Sequence, residues 1–136
     1  MLTIHAPLIA AGAALAQAPT LRFVDCRFRL DDPLAGRAAY GEARLPHAAF
    51  LDLEEDLSGP VDLTTTGRHP LPTKGALREA FARAGLNQQA HLVFYDDAGG
   101  AFAARAWWSA AYLGHPAAQV LDGGLDAWLA AGGELD

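Results

Sequence analysis

VFYDDAGGAFAARAWW, running from Val93 to Trp108, sets a strand, a glycine turn and the start of a helix end to end. Leu92-Val93-Phe94-Tyr95 is an unbroken apolar run, the pattern of a parallel strand covered on both faces. Gly99 and Gly100 let the backbone turn sharply, and the helix that follows offers unpaired N–H groups to whatever sits at the tip. Such a cradle favours a thiolate, a phosphate or an oxyanion by about 0.3–2 kcal/mol through the helix dipole alone. The tip residues are nevertheless Asp96 and Asp97. A carboxylate there fills the cradle and repels an anionic substrate, so the aspartates are expected to cap the helix and form the turn.

Working outward, the same alternation recurs along the chain. Leu21 to Asp25 and Ala48 to Leu53 are strand candidates, and Val120-Leu121 is a further buried strand. Thr73 can cap a helix whose apolar face is Leu77, Phe81 and Ala84, ended by Gly85 with Leu86 folding back. Helices are expected from about Ala101 to Leu113 and from Leu125 to Ala131. Arg27 to Pro46 reads as loop with one helical turn, and a long loop runs to about Pro72. Strands alternating with helices imply an α/β fold, a three-layer sandwich around a central, mostly parallel sheet.

The chain has 136 residues, 51% hydrophobic and 19% charged, which predicts one packed domain spanning 1–136. Its net charge of −6, with no basic run, argues against nucleic acid or an anionic membrane as partner. One cysteine, Cys26, excludes an internal disulfide and fits a reducing, cytoplasmic setting. The first twenty residues include Ala16-Gln17-Ala18 but lack a basic n-region, and Pro19 would follow the cut. Leu8, Ala11 and Leu15 instead fit one face of a short helix, the reading preferred to a removable leader.

Few residues are candidates for chemistry. Cys26, flanked by Asp25 and Arg27 at a buried strand end, reads as a small core residue. His5, His47, His69, His91 and His115 are scattered without metal-ligand spacing, so no metal or cofactor is expected. His69 stands apart because Arg68-His69 lies between Gly67 and Pro70-Leu71-Pro72 on the long loop. A rigid loop of this kind can present a proton donor beside an anion-binding fork. Glu54-Glu55-Asp56 is a solvated strand end or, in the sharper reading, the source of a carboxylate that orients His69. Trp107 and Trp108 point about 100° apart, so one should enter the core and the other face a partner surface.

Taken in order, several motifs resemble the rhodanese family. They are Val24-Asp25-Cys26-Arg27-Phe28, Phe50-Leu51-Asp52-Leu53, His69-Pro70-Leu71-Pro72, Val93-Phe94-Tyr95-Asp96, Arg105-Ala106-Trp107-Trp108, and Leu121-Asp122-Gly123-Gly124 with Trp128. The likeness is to the N-terminal half of tandem-domain sulfurtransferases acting on thiosulfate or 3-mercaptopyruvate. One departure is Ala43-Arg44-Leu45-Pro46-His47-Ala48, where relatives usually read glycine-histidine-isoleucine-proline-glycine-alanine. The resemblance implies that Asp96 stands where a catalytic domain has its persulfide cysteine, leaving this chain no catalytic residue. It also implies that Arg68 and His69 bind a small anionic sulfur donor, with Glu54 as the histidine's acidic partner. A C-terminal catalytic rhodanese domain would then supply the nucleophile. The alternative is a stand-alone, non-catalytic rhodanese-like module that binds or regulates a protein.

Overall fold

The computed structural model describes residues 6–136, so His5 and the first residues of the candidate leader lie outside it. Five strands form one sheet in the order β1-β5-β4-β2-β3, every neighbouring pair parallel. They are β1 Leu8–Ile9, β2 Leu21–Asp25, β3 Ala49–Phe50, β4 His91–Tyr95 and β5 Ala118–Leu121. The helices are α1 Ala11–Gln17, α2 Ala35–Glu42, α3 Lys74–Arg83, α4 Ala101–Tyr112 and α5 Gly124–Ala130. No helix among the described residues is long and apolar enough to cross a membrane.

Alternation along the strands divides the core in two. Val24, Phe94 and Val120 pack with Leu77 and Phe81 of α3 and with Ala103, Ala106 and Ala110 of α4. Phe23, Val93, Tyr95 and Leu121 pack on the opposite side with Ala11 and Ala14 of α1, Tyr40 of α2 and Trp128 of α5. This is the expected α/β sandwich of helix, sheet and helix layers.

The helix signals worked where local chemistry decided them. The Ala76 N–H donates to Thr73 Oγ1 at 3.1 Å, and the Leu86 N–H folds back to Phe81 O at 3.0 Å. Long-range contacts decided the rest. Leu8 was expected on a helix face but begins β1, where Pro7 O and Ile9 O accept N–H groups of Val120 and Asp122. α2 is a full helix rather than loop with one turn. Its Gly36 lies so close to the Arg27–Phe28 backbone that a β-carbon would overlap Arg27 O, a contact no local pattern announces. β3 is shorter than expected because Asp52 Oδ1 accepts the N–H groups of Glu54 and Glu55, turning the chain away from the sheet.

Candidate functional site

The sheet order creates a switch point. From β2 the chain crosses by α2 to β3 on one side, and from β4 by α4 to β5 on the other. The loops leaving β2 and β4 therefore diverge at the carboxyl ends of adjacent strands, where open α/β sheets form their crevices.

Asp96 directly follows β4 at this edge, 1% exposed. Its Oδ1 accepts the N–H groups of Ala98 and Gly100, both at 2.9 Å. Its Oδ2 accepts those of Phe102 at 3.0 Å and Ala103 at 2.9 Å, at the start of α4. The carboxylate thus occupies the amide cradle as a bound anion would, while Asp97 remains exposed. Gly124 makes the neighbouring turn possible, because at φ 58° a β-carbon there would lie 2.3 Å from Asp96 O. The open crevice alongside is lined by Asp97, Asp122 and Asp126, a field that repels anions.

The long loop sets its own group at the same edge. His69 Nε2 lies 3.2 Å from Glu54 Oε2, so the structure brings the histidine and the suggested carboxylate together. The Asp52-anchored turn presents Glu54 for this contact. The His69 ring meets Phe28 edge-on at 6.2 Å between centroids, and Phe28 in turn meets Phe102 at 5.6 Å. One aromatic layer therefore separates His69 from the cradle helix. Arg68 is exposed. Arg105, from α4, reaches the loop from below and donates to Leu57 O, His69 O and Pro70 O. That contact was not read from the sequence, although a lone cation in the apolar run Ala101 to Trp108 was a signal for it.

Beneath the site, Asp25 is fully buried and paired with Arg27 Nη2 at 2.6 Å. The Tyr95 hydroxyl donates to Asp25 Oδ2 at 3.0 Å and accepts the Leu45 N–H at 3.1 Å. Burial and then the Asp25 charge push the Tyr95 phenol far up, so it stays a neutral donor. Cys26 is 1% exposed. Burial raises its thiol well above the ordinary value, and Asp25, Asp96 and Asp56 raise it further, so it is an inert core residue. His47 has φ 57° and stands at the position where the resemblance expects glycine. Trp107 packs on the core and donates to Ala118 O, whereas Trp108 is exposed and stacks on Tyr112 at 5.0 Å. Among the described residues no group of three or more His, Cys, Asp or Glu side chains could hold a metal.

Comparison with known proteins places this geometry. The rhodanese-like domain family matches residues 10–131. The chain belongs to the rhodanese family. It is 50% identical over 121 residues to a protein of Pseudomonas aeruginosa named probable 3-mercaptopyruvate sulfurtransferase, covering 88% of this chain and 43% of that one. To the thiosulfate sulfurtransferase of Rattus norvegicus it is 31% identical over 118 residues, covering 84% and 38%. The 3-mercaptopyruvate sulfurtransferase structure from Leishmania major superposes with a TM-score of 0.86 at 31% identity, covering 95% of this chain and 35% of that one. SseA from Escherichia coli, a 3-mercaptopyruvate sulfotransferase, gives 0.81 at 28%, covering 97% and 50%. This rhodanese domain therefore spans half or less of each of these relatives.

Proposed function

We propose that this rhodanese domain is the non-catalytic, N-terminal half of a sulfurtransferase moving sulfane sulfur from thiosulfate or 3-mercaptopyruvate to a thiophilic acceptor. The observation that carries this reading is the Asp96 carboxylate held by four amide N–H groups where a catalytic rhodanese domain would hold its persulfide. A carboxylate cannot accept a sulfane sulfur, and Cys26 is sealed in the core. The nucleophile then belongs to a second rhodanese domain, an assignment supported by relatives more than twice as long as the matched region.

In that arrangement the partner domain's thiolate attacks the sulfane sulfur of the donor. With thiosulfate the S–S bond breaks, sulfite leaves and an enzyme persulfide remains; a thiophile such as cyanide then takes the outer sulfur and restores the thiolate. This domain contributes the opposite wall. Arg68 supplies positive charge to an anionic donor, and the His69 imidazole, oriented through Nε2 by Glu54 and backed by Phe28, presents its other ring nitrogen to the donor. The acidic crevice beside Asp96 keeps the donor on the His69 side. A single, buried cysteine suits a cytoplasmic setting, with no demand for an oxidising compartment.

The test is thiocyanate formation from thiosulfate and cyanide by the purified chain at high protein concentration. No turnover is expected. Turnover that persists in Cys26→Ser would overturn the assignment.

A further inference from the structure

Arg105 is an unusual cation. Its guanidinium is part-buried, yet among the described residues it has no carboxylate within ion-pair reach. Its donors go instead to three main-chain carbonyls, with Nη2 at 2.9 Å from Leu57 O, 2.9 Å from His69 O and 3.1 Å from Pro70 O, and Nε at 3.2 Å from Leu57 O. Burial alone lowers its pKa, as expected for a charge taken from water without a counter-charge. A guanidinium nevertheless stays protonated in proteins, so the planar fork keeps its donors. A neutral residue could fill this space without that desolvation. The geometry a fork can impose is therefore the feature to explain.

What it imposes is the position of His69. The three carbonyls belong to the two ends of the long loop, which also close on each other through the Gly59 N–H and Pro70 O at 2.8 Å. One of the three is the carbonyl of His69 itself. Arg105 stands one turn beyond Phe102 and Ala103, whose N–H groups complete the Asp96 cradle. The first turns of α4 thus carry both the cradle and the anchor of the histidine loop.

We propose that Arg105 is a positioning residue that fixes the His69 loop against α4, so that the imidazole keeps its contacts with Glu54 and Phe28. The consequence for donor binding rests on the function proposed above; the positioning role does not. Away from its ends, where Leu57 and Pro72 are buried, the tip of the loop is tied only to itself. The Thr65 and Thr66 N–H groups bond only to Asp62 within their own turn, and Leu63 is 80% exposed.

The experiment compares the 136-residue chain with its Arg105→Gln and Arg105→Lys variants by amide exchange, by nuclear Overhauser contacts and by thiosulfate titration read at the His69 ring. In Arg105→Gln the Gly59 amide should exchange at least about tenfold faster while Thr66 is unchanged, and the Phe28–His69 ring contact should vanish. Arg105→Lys keeps the charge but not the fork, and should fall between the two. Leu92, in the central strand, reports whether each variant is folded; if Arg105→Gln is not, Arg105→Lys decides. A folded variant that keeps wild-type Gly59 protection and the Phe28–His69 contact overturns the positioning role. Thiosulfate should bind at least about tenfold more weakly to Arg105→Gln, a loss of about 1.4 kcal/mol or more. If wild type shows no thiosulfate response while Arg105→Gln loses the ring contact, donor binding by Arg68 and His69 in this chain fails and the positioning role stands. Equal thiosulfate binding by wild type and a folded Arg105→Gln that has lost the ring contact overturns the consequence for donor binding and leaves the positioning role standing.

Discussion

Replacing Asp96 by alanine should turn a self-filled cradle into an open anion site. The carboxylate accepts N–H groups from Ala98, Gly100, Phe102 and Ala103. Ala98 is exposed and Gly100 half-buried, so water can replace the carboxylate there. Phe102 and Ala103 lie within α4, and Ala103 is fully buried. Two charge-assisted bonds lost at about 1.5–2 kcal/mol each give a destabilisation of about 3–4 kcal/mol. That lies within the usual margin of a domain, so the variant should fold with its Tm lowered by on the order of 10 °C. An anion that refills the cradle should restore stability, by about 2.7 kcal/mol at a hundred times its Kd. Urea denaturation of Asp96→Ala at rising sulfate, at constant ionic strength, measures both effects. Asp96→Asn is the control, because its amide still occupies the space and leaves no room for sulfate. The reasoning is refuted if Asp96→Ala costs less than about 1 kcal/mol, or if sulfate stabilises wild type and Asp96→Asn as much as Asp96→Ala.

Other consequences follow from the buried network and the core. Arg27→Ala leaves the fully buried Asp25 carboxylate without its ion-pair partner and should cost about 3–5 kcal/mol in urea denaturation. His47 holds φ 57°, so His47→Gly should raise stability by about 1 kcal/mol, read as a higher denaturation midpoint with an unchanged slope. Burial holds the folded-state pKa of Cys26 above its unfolded value. The sign follows directly: above about pH 8.5 the unfolded chain releases this proton first, so stability is full below that pH and declines above it. Alkylation of Cys26 should accordingly be slow in the native chain and fast in urea.

What could be read from the sequence divides along the range of the interactions. Thr73, Gly85 and the apolar run Leu92 to Tyr95 act within a few residues of themselves, so the signal and the structure coincide at α3 and β4. β1 is two residues long and has no periodicity of its own; it exists because β5 presents free backbone groups to Pro7 and Ile9. α2 contains two glycines that local propensity counts against, yet Gly36 is required by the close approach of the Arg27 backbone. At the site, Asp96 was legible because strand, glycines and helix are contiguous. For His69 the acidic run Glu54 to Asp56 suggested a carboxylate partner, and the family likeness singled out Glu54, fifteen residues away. Arg105 belongs to the motif Arg105 to Trp108, but its contacts are to carbonyls 35 to 48 residues away, which no local pattern encodes.

The central claim is that this rhodanese domain keeps the anion cradle of a sulfur-carrying site while its own carboxylate occupies it. The most direct test is the intact mass of the chain after incubation with thiosulfate, before and after cyanide, for wild type and for Asp96→Cys. Wild type should gain no sulfur. Asp96→Cys should gain one sulfur that cyanide removes, with sulfite released in equal amount. A cyanide-labile sulfur on wild type would contradict the account.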